Sequence, residues 1–408
     1  MTTDKNNQES YNKKGQGRIY CDFVEQYQDY PRELFSLVTN IRPFLPSNTE
    51  DENYNLGTMR NYDDRNMPSN IAIADVLSFN RAFNNYKQNN PNMPETEIKA
   101  RVVFDFLEQH GGCFSYEKNK EDLLFKDDKG RNITKEQFYA NTIYNDVMTN
   151  TNFFDKHIGN MQILCLQPKS ITDIPRNIEG ISQTYLDKFM NIPDKERLEI
   201  QYKRGLYHEC MHIAMGTTDE RKCDAFALLK IMQEYPQHAK TIFDIYNIQR
   251  SKMGYTVVEL HGKDDASKQR AIKSGAMTYL MPNTYKKLEQ YALNPQLIPE
   301  NDLEILKLSC QLTAEPDFSK AQLSAYADLM KKDNITPQDL ANNEIVQSCM
   351  RQGGFDNINK YIASDKKLQG IIKQDISFQK ITDIPEKQSP LMENISQILQ
   401  AKSSKVNR

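Results

Sequence analysis

Tryptophan is absent from this 408-residue chain. Nowhere do about 18 apolar residues run together, so the sequence predicts no transmembrane helix. The N-terminal segment MTTDKNNQESYNKKGQGR contains no apolar stretch, and we therefore expect no standard secretory signal. An excess of charge of one sign is also missing, because 52 basic residues stand against 55 acidic ones. This balance argues against a general nucleic-acid-binding protein, which usually carries a basic excess.

Paired cysteines are lacking as well. The seven cysteines are scattered along the chain and form no C-x-x-C pair. An odd and scattered set is typical of reduced thiols rather than of a disulfide framework. We therefore expect a cytoplasmic protein, or one delivered to another cell by a route that needs no Sec signal.

The chain nevertheless carries enough apolar residues for a folded core, with 38% hydrophobic and 10% aromatic residues. Its length predicts two or three domains of about 150 residues each. Composition divides it into a flexible tail (1–16), a mixed N-terminal region of unknown role (17–160), a central core (161–290), a C-terminal helical region (291–384) and a polar tail (385–408).

Apolar periodicity predicts an α+β protein that is predominantly helical. Helical spacing occurs over 71–89, 97–109, 195–216, 218–234, 240–252, 266–293, 302–312, 318–332 and 337–350. Residues 161–166 (MQILCL) predict a strand, and residues 123–134 predict a hairpin around an Asp-Lys-Gly turn.

One motif in the sequence predicts a metal site. His208-Glu-Cys-Met-His212 has the pattern H-E-x-x-H. On a helix, His208 and His212 lie one turn apart on the same face and can hold one zinc ion. Glu209 projects beside them, where its carboxylate can take a proton from a water molecule on the metal.

A catalytic zinc site needs a third protein ligand and one open position. Thr217 and Glu220 have capping-box spacing, so a second helix is predicted to begin directly after the first. Glu220 is the economical third ligand, and Asp224, one turn later, would hold the far nitrogen of a ligand histidine. Asp219 and Asp224 remain alternative ligands. Cys210 and Cys223 could also bind the metal. We expect instead that both are buried on helix faces, where a cysteine packs as a small hydrophobic side chain.

A family resemblance supports this interpretation. HECMH followed by Glu220-Arg-Lys-Cys-Asp224-Ala-Phe-Ala resembles the zincin metallopeptidases of the gluzincin type. This residue pattern is most similar to that of the ImmA/IrrE type of bacterial metallopeptidase. The resemblance covers about residues 195–235. It implies that His208, His212 and Glu220 bind zinc and that Glu209 is the general base. The seven residues between His212 and Glu220 form a shorter spacer than gluzincins usually have.

The resemblance also implies a zincin-like core, in which a small sheet lies beside the active-site helix and helical regions flank both. An edge strand of such a sheet binds the substrate in extended form, and 161–166 is the expected edge strand. A tyrosine hydroxyl usually assists the developing oxyanion. Tyr255, Tyr279 and Tyr285 are the candidates that follow the motif.

The sequence thus predicts a zinc-dependent endopeptidase that acts on a protein or peptide substrate, without a nucleic-acid partner and without a membrane span. Three alternatives stay open. The zinc site could belong to a non-catalytic or regulatory module that recognises a protein partner. The chain could be a bacterial effector or toxin protease of narrow specificity. It could also hydrolyse a non-peptide amide.

Overall fold

A computed structural model describes part of the chain, and that part is predominantly helical, as predicted. It comprises residues 19–23, 37, 70–109, 131–134, 154–158, 161–166, 183–215, 219–255, 264–266, 268–269, 279–333 and 335–363. Both predicted tails and most of the predicted hairpin at 123–134 lie outside these residues. Among the described helices, none combines the length and the apolar character that crossing a membrane requires.

The described part of the chain contains the following helices. They are α1 (Val76–Asn89), α2 (Glu95–Gln109), α3 (Gln183–Met190), α4 (Asp194–Met215), α5 (Glu220–Glu234), α6 (Ala239–Ser251), α7 (Pro282–Leu293), α8 (Asp302–Leu312), α9 (Lys320–Lys331), α10 (Pro337–Asn342), α11 (Glu344–Gln352) and α12 (Ile358–Ala363). The predicted helices at 97–109, 240–252 and 302–312 are therefore confirmed to within two residues at each end.

Four strands form one sheet. They are β1 (Ile19–Phe23), β2 (Asn70–Asp75), β3 (Phe154–Ile158) and β4 (Met161–Leu166), in the order β1-β2-β4-β3. The first three in that order are parallel, and β3 pairs with β4 in antiparallel register, with Phe154 opposite Cys165.

The strand predicted at 161–166 is confirmed, but the expectation that it forms a sheet edge is wrong. β4 lies between β2 and β3, and among the described strands β1 and β3 are the outer ones. The pairing of β4 with β2 joins segments about 90 residues apart, which local sequence does not reveal. The backbone of β3 lies close to α4.

One predicted helix begins later than expected, and another is interrupted. Over 71–89, the chain first forms β2 and becomes helical only at Val76. The segment Ile-Ala-Ile-Ala is short and contains two β-branched isoleucines, and its backbone is paired on both sides. Within 266–293, residues 266, 268 and 269 are helical, residues 280–281 are not, and helix α7 begins at Pro282. Proline suits this position because it lacks an amide hydrogen, which the first helical turn does not need.

The predicted helix at 337–350 is divided in two. Asn343 separates α10 from α11, and its side-chain oxygen accepts hydrogen bonds from the backbone amides of Ile345 and Val346 at 3.1 and 3.3 Å. Asparagine is a favoured N-cap because it satisfies amides that have no partner in the first turn. The apolar residues keep their helical spacing across Asn343, so the sequence pattern did not predict this break.

The described residues fall into two compact units. The first contains the sheet, α1, α2, α4, α5, most of α7, all of α8, and α6 as far as Tyr246. The second contains the end of α6 from Asn247 and helices α9 to α12. Its core includes the buried side chains of Tyr326, Ile345 and Tyr361. Every residue of the H-E-x-x-H region belongs to the first unit.

Helix α5 lies inside the first unit, between α4 and α8. Nearly every side chain from Lys222 to Leu229 is buried, which is the pattern of a helix surrounded by protein. Asp219 caps its N-terminus by accepting a hydrogen bond from the amide of Arg221 at 3.1 Å. Thr217, the predicted cap, lies outside the described residues, and the observed N-cap is Asp219, two residues later. The predicted second helix itself is confirmed.

Candidate metal centre

Helix α4 brings His208 and His212 together on one face. Their Nε2 atoms are 3.2 Å apart, and the ring planes are inclined by 75°. This proximity follows from the four-residue spacing, which places side chains above one another on a helix. Both imidazoles are largely enclosed, with side-chain exposures of 7% and 13%. The two nitrogen atoms therefore face a common, protected point.

Glu220, the first residue of α5, completes the cluster. Its Oε2 atom lies 2.9 Å from Nε2 of His208, and its Oε1 atom lies 3.6 Å from Nε2 of His212. The three side chains form a group that could hold a metal ion, with ligand atoms all within 4.8 Å of one another. Neither Asp219 nor Asp224 is a member of this group, which is drawn from the described residues.

The spacing of these ligand atoms suits a tetrahedral ion. Zinc binds imidazole nitrogen and carboxylate oxygen at about 2.0–2.1 Å, so neighbouring ligand atoms should be about 3.3 Å apart. The two imidazole nitrogens are 3.2 Å apart, and the two oxygens of Glu220 lie 2.9 and 3.6 Å from them, which is close to that value. The residues present therefore fit a tetrahedral metal with three protein ligands.

The remaining ring nitrogens contact two consecutive residues of α5. Nδ1 of His208 lies 2.7 Å from Oδ1 of Asp224, and Nδ1 of His212 lies 3.4 Å from Sγ of Cys223. When Nδ1 carries the proton, Nε2 presents its lone pair to the centre of the cluster. Helix α5 thus supplies one ligand and a partner for each histidine.

Asp224 is the best supported of these partners. Its side chain is completely buried, and Oδ1 also accepts a hydrogen bond from Nη2 of Arg204 at 2.6 Å. The hydroxyl of Tyr285, on α7, donates to the other oxygen at 3.1 Å. The guanidinium of Arg204 lies over the ring of Tyr246, 4.8 Å from its centroid.

The electrostatics of the cluster favour positive charge. Burial alone would lower the pKa of His208, but Asp224 and Glu220 outweigh it, and the pKa is raised. Burial is likewise outweighed at His212, where Cys223 and Glu220 raise the pKa. Burial would raise the pKa of Glu220, yet hydrogen bonds from the two histidines hold it well below its usual range. The same environment that attracts a proton attracts a metal cation.

Glu209 follows His208 on α4 and is partly buried. Burial raises the pKa of this carboxyl, while the charges of His208 and His212 act in the opposite direction. Raising a carboxyl pKa towards neutrality suits a group that accepts and returns protons.

The other sequence candidates lie outside the ligand set. Asp219 caps α5, and its carboxylate also pairs with Arg221 at 3.0 Å. Cys210 is fully buried on α4. Cys223 faces Nδ1 of His212, the ring nitrogen that does not point at Glu220. Tyr285 is fully buried and bound to Asp224, so its hydroxyl supports a histidine partner instead of an open metal position.

Sequence reasoning missed Arg204. It lies four residues before His208, on the same face of α4, and this spacing was the one available signal. The pairing of Arg204 with Asp224 depends on how α4 and α5 face each other, which the helical pattern alone does not fix.

Comparisons with protein-family models, with curated proteins and with solved structures found no match for this chain. The likeness to zincins therefore stays at the level of the motif, and a function has to be argued from the cluster of His208, His212 and Glu220.

Proposed function

We propose that this protein is a zinc-dependent endopeptidase with its catalytic centre at His208, His212 and Glu220. The observation that carries the proposal is the convergence of two imidazole nitrogens and one carboxylate at 2.9–3.6 Å separations. Two histidines and one glutamate form a ligand set used by catalytic zinc in peptidases.

The donor set favours zinc over harder ions. Magnesium and calcium prefer shells made of oxygen atoms, whereas two of the three donors in this cluster are imidazole nitrogens. Structural zinc sites favour four ligands that include cysteine, and the sulfur of Cys223 faces the other nitrogen of a ligand histidine. Three protein ligands leave one position for water or substrate.

Zinc held by these ligands would polarise a peptide carbonyl and lower the pKa of a water molecule to about 7. Glu209 takes a proton from the attacking water as its oxygen bonds to the carbonyl carbon. The same carboxyl then returns that proton to the amine nitrogen as the carbon–nitrogen bond breaks. Burial raises the pKa of Glu209, which favours the return of the proton to the leaving amine.

The sheet offers a place for an extended substrate in a zincin-like core. β3 is an edge strand beside α4, and within the described part of the chain its backbone pairs with β4 only. A peptide that adds to such an edge gains main-chain hydrogen bonds largely independent of its sequence. We infer that β3, rather than β4, would align the substrate with the centre.

Elemental analysis of the purified full chain is the first test. We expect about one zinc ion per chain in the wild type. Glu220→Ala should lose the metal, because two histidines alone bind zinc weakly. Asp219→Asn should keep it, since Asp219 caps α5 and asparagine caps equally well. A wild type that takes up no zinc, even after incubation with it, would overturn the proposal.

Peptide-library cleavage, read by mass spectrometry, tests the catalytic part. Glu209→Gln should retain zinc and lose about 10²–10⁴-fold in cleavage rate, the range of general acid–base catalysis. Glu199→Gln is the matched control, because Glu199 lies on the same helix and binds the hydroxyl of Tyr235 at 2.8 Å. Full activity in Glu209→Gln would contradict the mechanism. A zinc-loaded wild type that cleaves no library peptide would favour a non-catalytic zinc module.

A further inference from the structure

We propose that Arg204 is a positioning residue of the metal centre, acting through Asp224 on His208. This inference rests on the proposed zinc site and goes beyond it, because Arg204 belongs to no part of the H-E-x-x-H…E pattern. The juxtaposition that carries it is a continuous chain of contacts from Tyr246 through Arg204 and Asp224 to His208.

The first step concerns one oxygen of Asp224, which both Arg204 and His208 contact. Oδ1 of Asp224 receives Arg204 at 2.6 Å and faces Nδ1 of His208 at 2.7 Å. Arg204 and His208 are one turn apart on α4, so both reach the same atom of α5 from the same helix face. The location of that oxygen, and with it the direction of the imidazole, depends on both contacts.

The second step is the burial of the carboxylate. Asp224 has no exposed side-chain surface, and a buried carboxylate without a cationic partner is strongly unfavourable. The hydroxyl of Tyr285 is a neutral donor at the longer distance of 3.1 Å. Arg204 is a permanently charged partner of this carboxylate, and its charge-assisted bond is stronger than the bond from Tyr285.

The third step is the restraint on Arg204 itself. Its guanidinium is 4.8 Å from the centroid of the Tyr246 ring, a distance typical of cation–π contacts. Its side chain is 15% exposed, so little of it can turn towards solvent. A planar guanidinium held over a ring keeps its Nη2 atom in a fixed direction, which an ammonium group on a flexible stem does less well.

Together these contacts give Arg204 a specific task. It holds Asp224 in the orientation in which the carboxylate faces Nδ1 of His208, and the Nε2 atom of His208 then points at Glu220 and His212. Without Arg204, Oδ1 loses its shortest restraint and the imidazole becomes freer to turn. Outer partners of ligand histidines change metal affinity by about 10–100-fold, and we expect Arg204 to act near the lower end of that range.

The test compares zinc affinity of the full-length wild type with that of Arg204→Gln and Arg204→Lys, by competition with a chelator of known affinity. We expect about a tenfold loss in Arg204→Gln. Arg204→Lys should recover part of it, because lysine restores the charge but not the planar contact with Tyr246. The visible spectrum of the cobalt(II)-substituted protein should also change in Arg204→Gln, since it reports ligand geometry at the metal.

Arg197→Gln is the matched control for loss of a buried arginine from α4. Arg197 donates to the backbone carbonyls of Met190 and Ile192 at 3.0 and 2.9 Å, remote in sequence from the motif. This variant should lower the thermal midpoint and leave zinc affinity and the cobalt spectrum unchanged.

Unchanged zinc affinity and an unchanged cobalt spectrum in Arg204→Gln would overturn the inference and leave the zinc site standing. Equal affinity losses in Arg204→Gln and Arg197→Gln would also overturn it, because the effect would then be a general weakening of α4. A wild type that binds no zinc would overturn the proposed function and this inference together.

Discussion

The sulfur of Cys223 lies 3.4 Å from Nδ1 of His212, so one of the two histidines of the cluster contacts a thiol at its other ring nitrogen, where His208 contacts a carboxylate. Burial raises the pKa of that thiol to about 12. A sulfur atom is a weak acceptor for an imidazole N–H group. Support for His212 is therefore weaker than the support that Asp224 gives to His208.

Removal of the sulfur should consequently have a small effect on the metal. We expect Cys223→Ala to weaken zinc binding by less than about tenfold, below the usual cost of losing a carboxylate partner. Chelator competition measures this loss. Cys349→Ala serves as the control, since Cys349 is also fully buried but belongs to the core of the second unit. Equal losses in both variants would show that the sulfur of Cys223 has no specific role.

Replacement of Asp224 should cost more. In Asp224→Asn, the amide can turn its NH₂ group towards Nδ1 of His208, which favours a proton on Nε2 and blocks that nitrogen as a ligand. We expect zinc affinity to fall by about 10–100-fold. Tyr285→Phe removes only the longer bond to the other oxygen and should cost less. A larger loss in Tyr285→Phe than in Asp224→Asn would contradict this ranking.

Local patterns in the sequence predicted the elements that hold the site. The helix predicted from Lys195 to Gly216 is observed as Asp194–Met215, and the strand predicted at 161–166 has those bounds. Apolar spacing and the four-residue separation of the two histidines depend on neighbours within a few turns, so the sequence contains them directly.

The apolar spacing did not predict contacts between residues that are far apart in the sequence. Asp224 contacts Arg204 across 20 residues and Tyr285 across 61, and both contacts depend on how packed helices face each other. The position of β4 inside the sheet depends on pairing with β2, far upstream. Capping by Asp219 was missed for a different reason: Thr217 offered an equally good local pattern, and propensity alone does not choose between adjacent caps.

Asp219 and Glu220 are neighbours with different roles, and substitution should separate them. Asp219→Ala removes the cap and the pair with Arg221, and should lower the free energy of unfolding by about 1 kcal/mol while zinc stays bound. Glu220→Ala should abolish zinc binding. Thermal unfolding and elemental analysis of both proteins give the comparison. Loss of zinc in Asp219→Ala with retention in Glu220→Ala would reverse the assignment of the third ligand.

Asp317 fixes the start of the helix that carries Tyr285. Its carboxylate accepts hydrogen bonds from the backbone amides of Asn283 and Thr284 at 2.7 and 2.9 Å, and from the Thr284 hydroxyl at 2.7 Å. Asp317→Ala leaves these donors without that acceptor and should destabilise the protein by about 1–3 kcal/mol. Asp328→Ala is the control, because the exposed pair of Asp328 with Lys331 should contribute little. Similar thermal midpoints for the two variants would argue against this capping role.

Metal removal should destabilise the wild-type protein through mass action. A ligand that binds only the folded state adds about 4 kcal/mol when its free concentration is a thousand times its dissociation constant. We therefore expect a chelator to lower the thermal midpoint of the zinc-loaded wild type, and added zinc to restore it. Glu220→Ala, which lacks the carboxylate ligand, should unfold at the same temperature with and without chelator. If the chelator lowered both midpoints equally, the stabilising metal would have to bind outside the cluster of His208, His212 and Glu220.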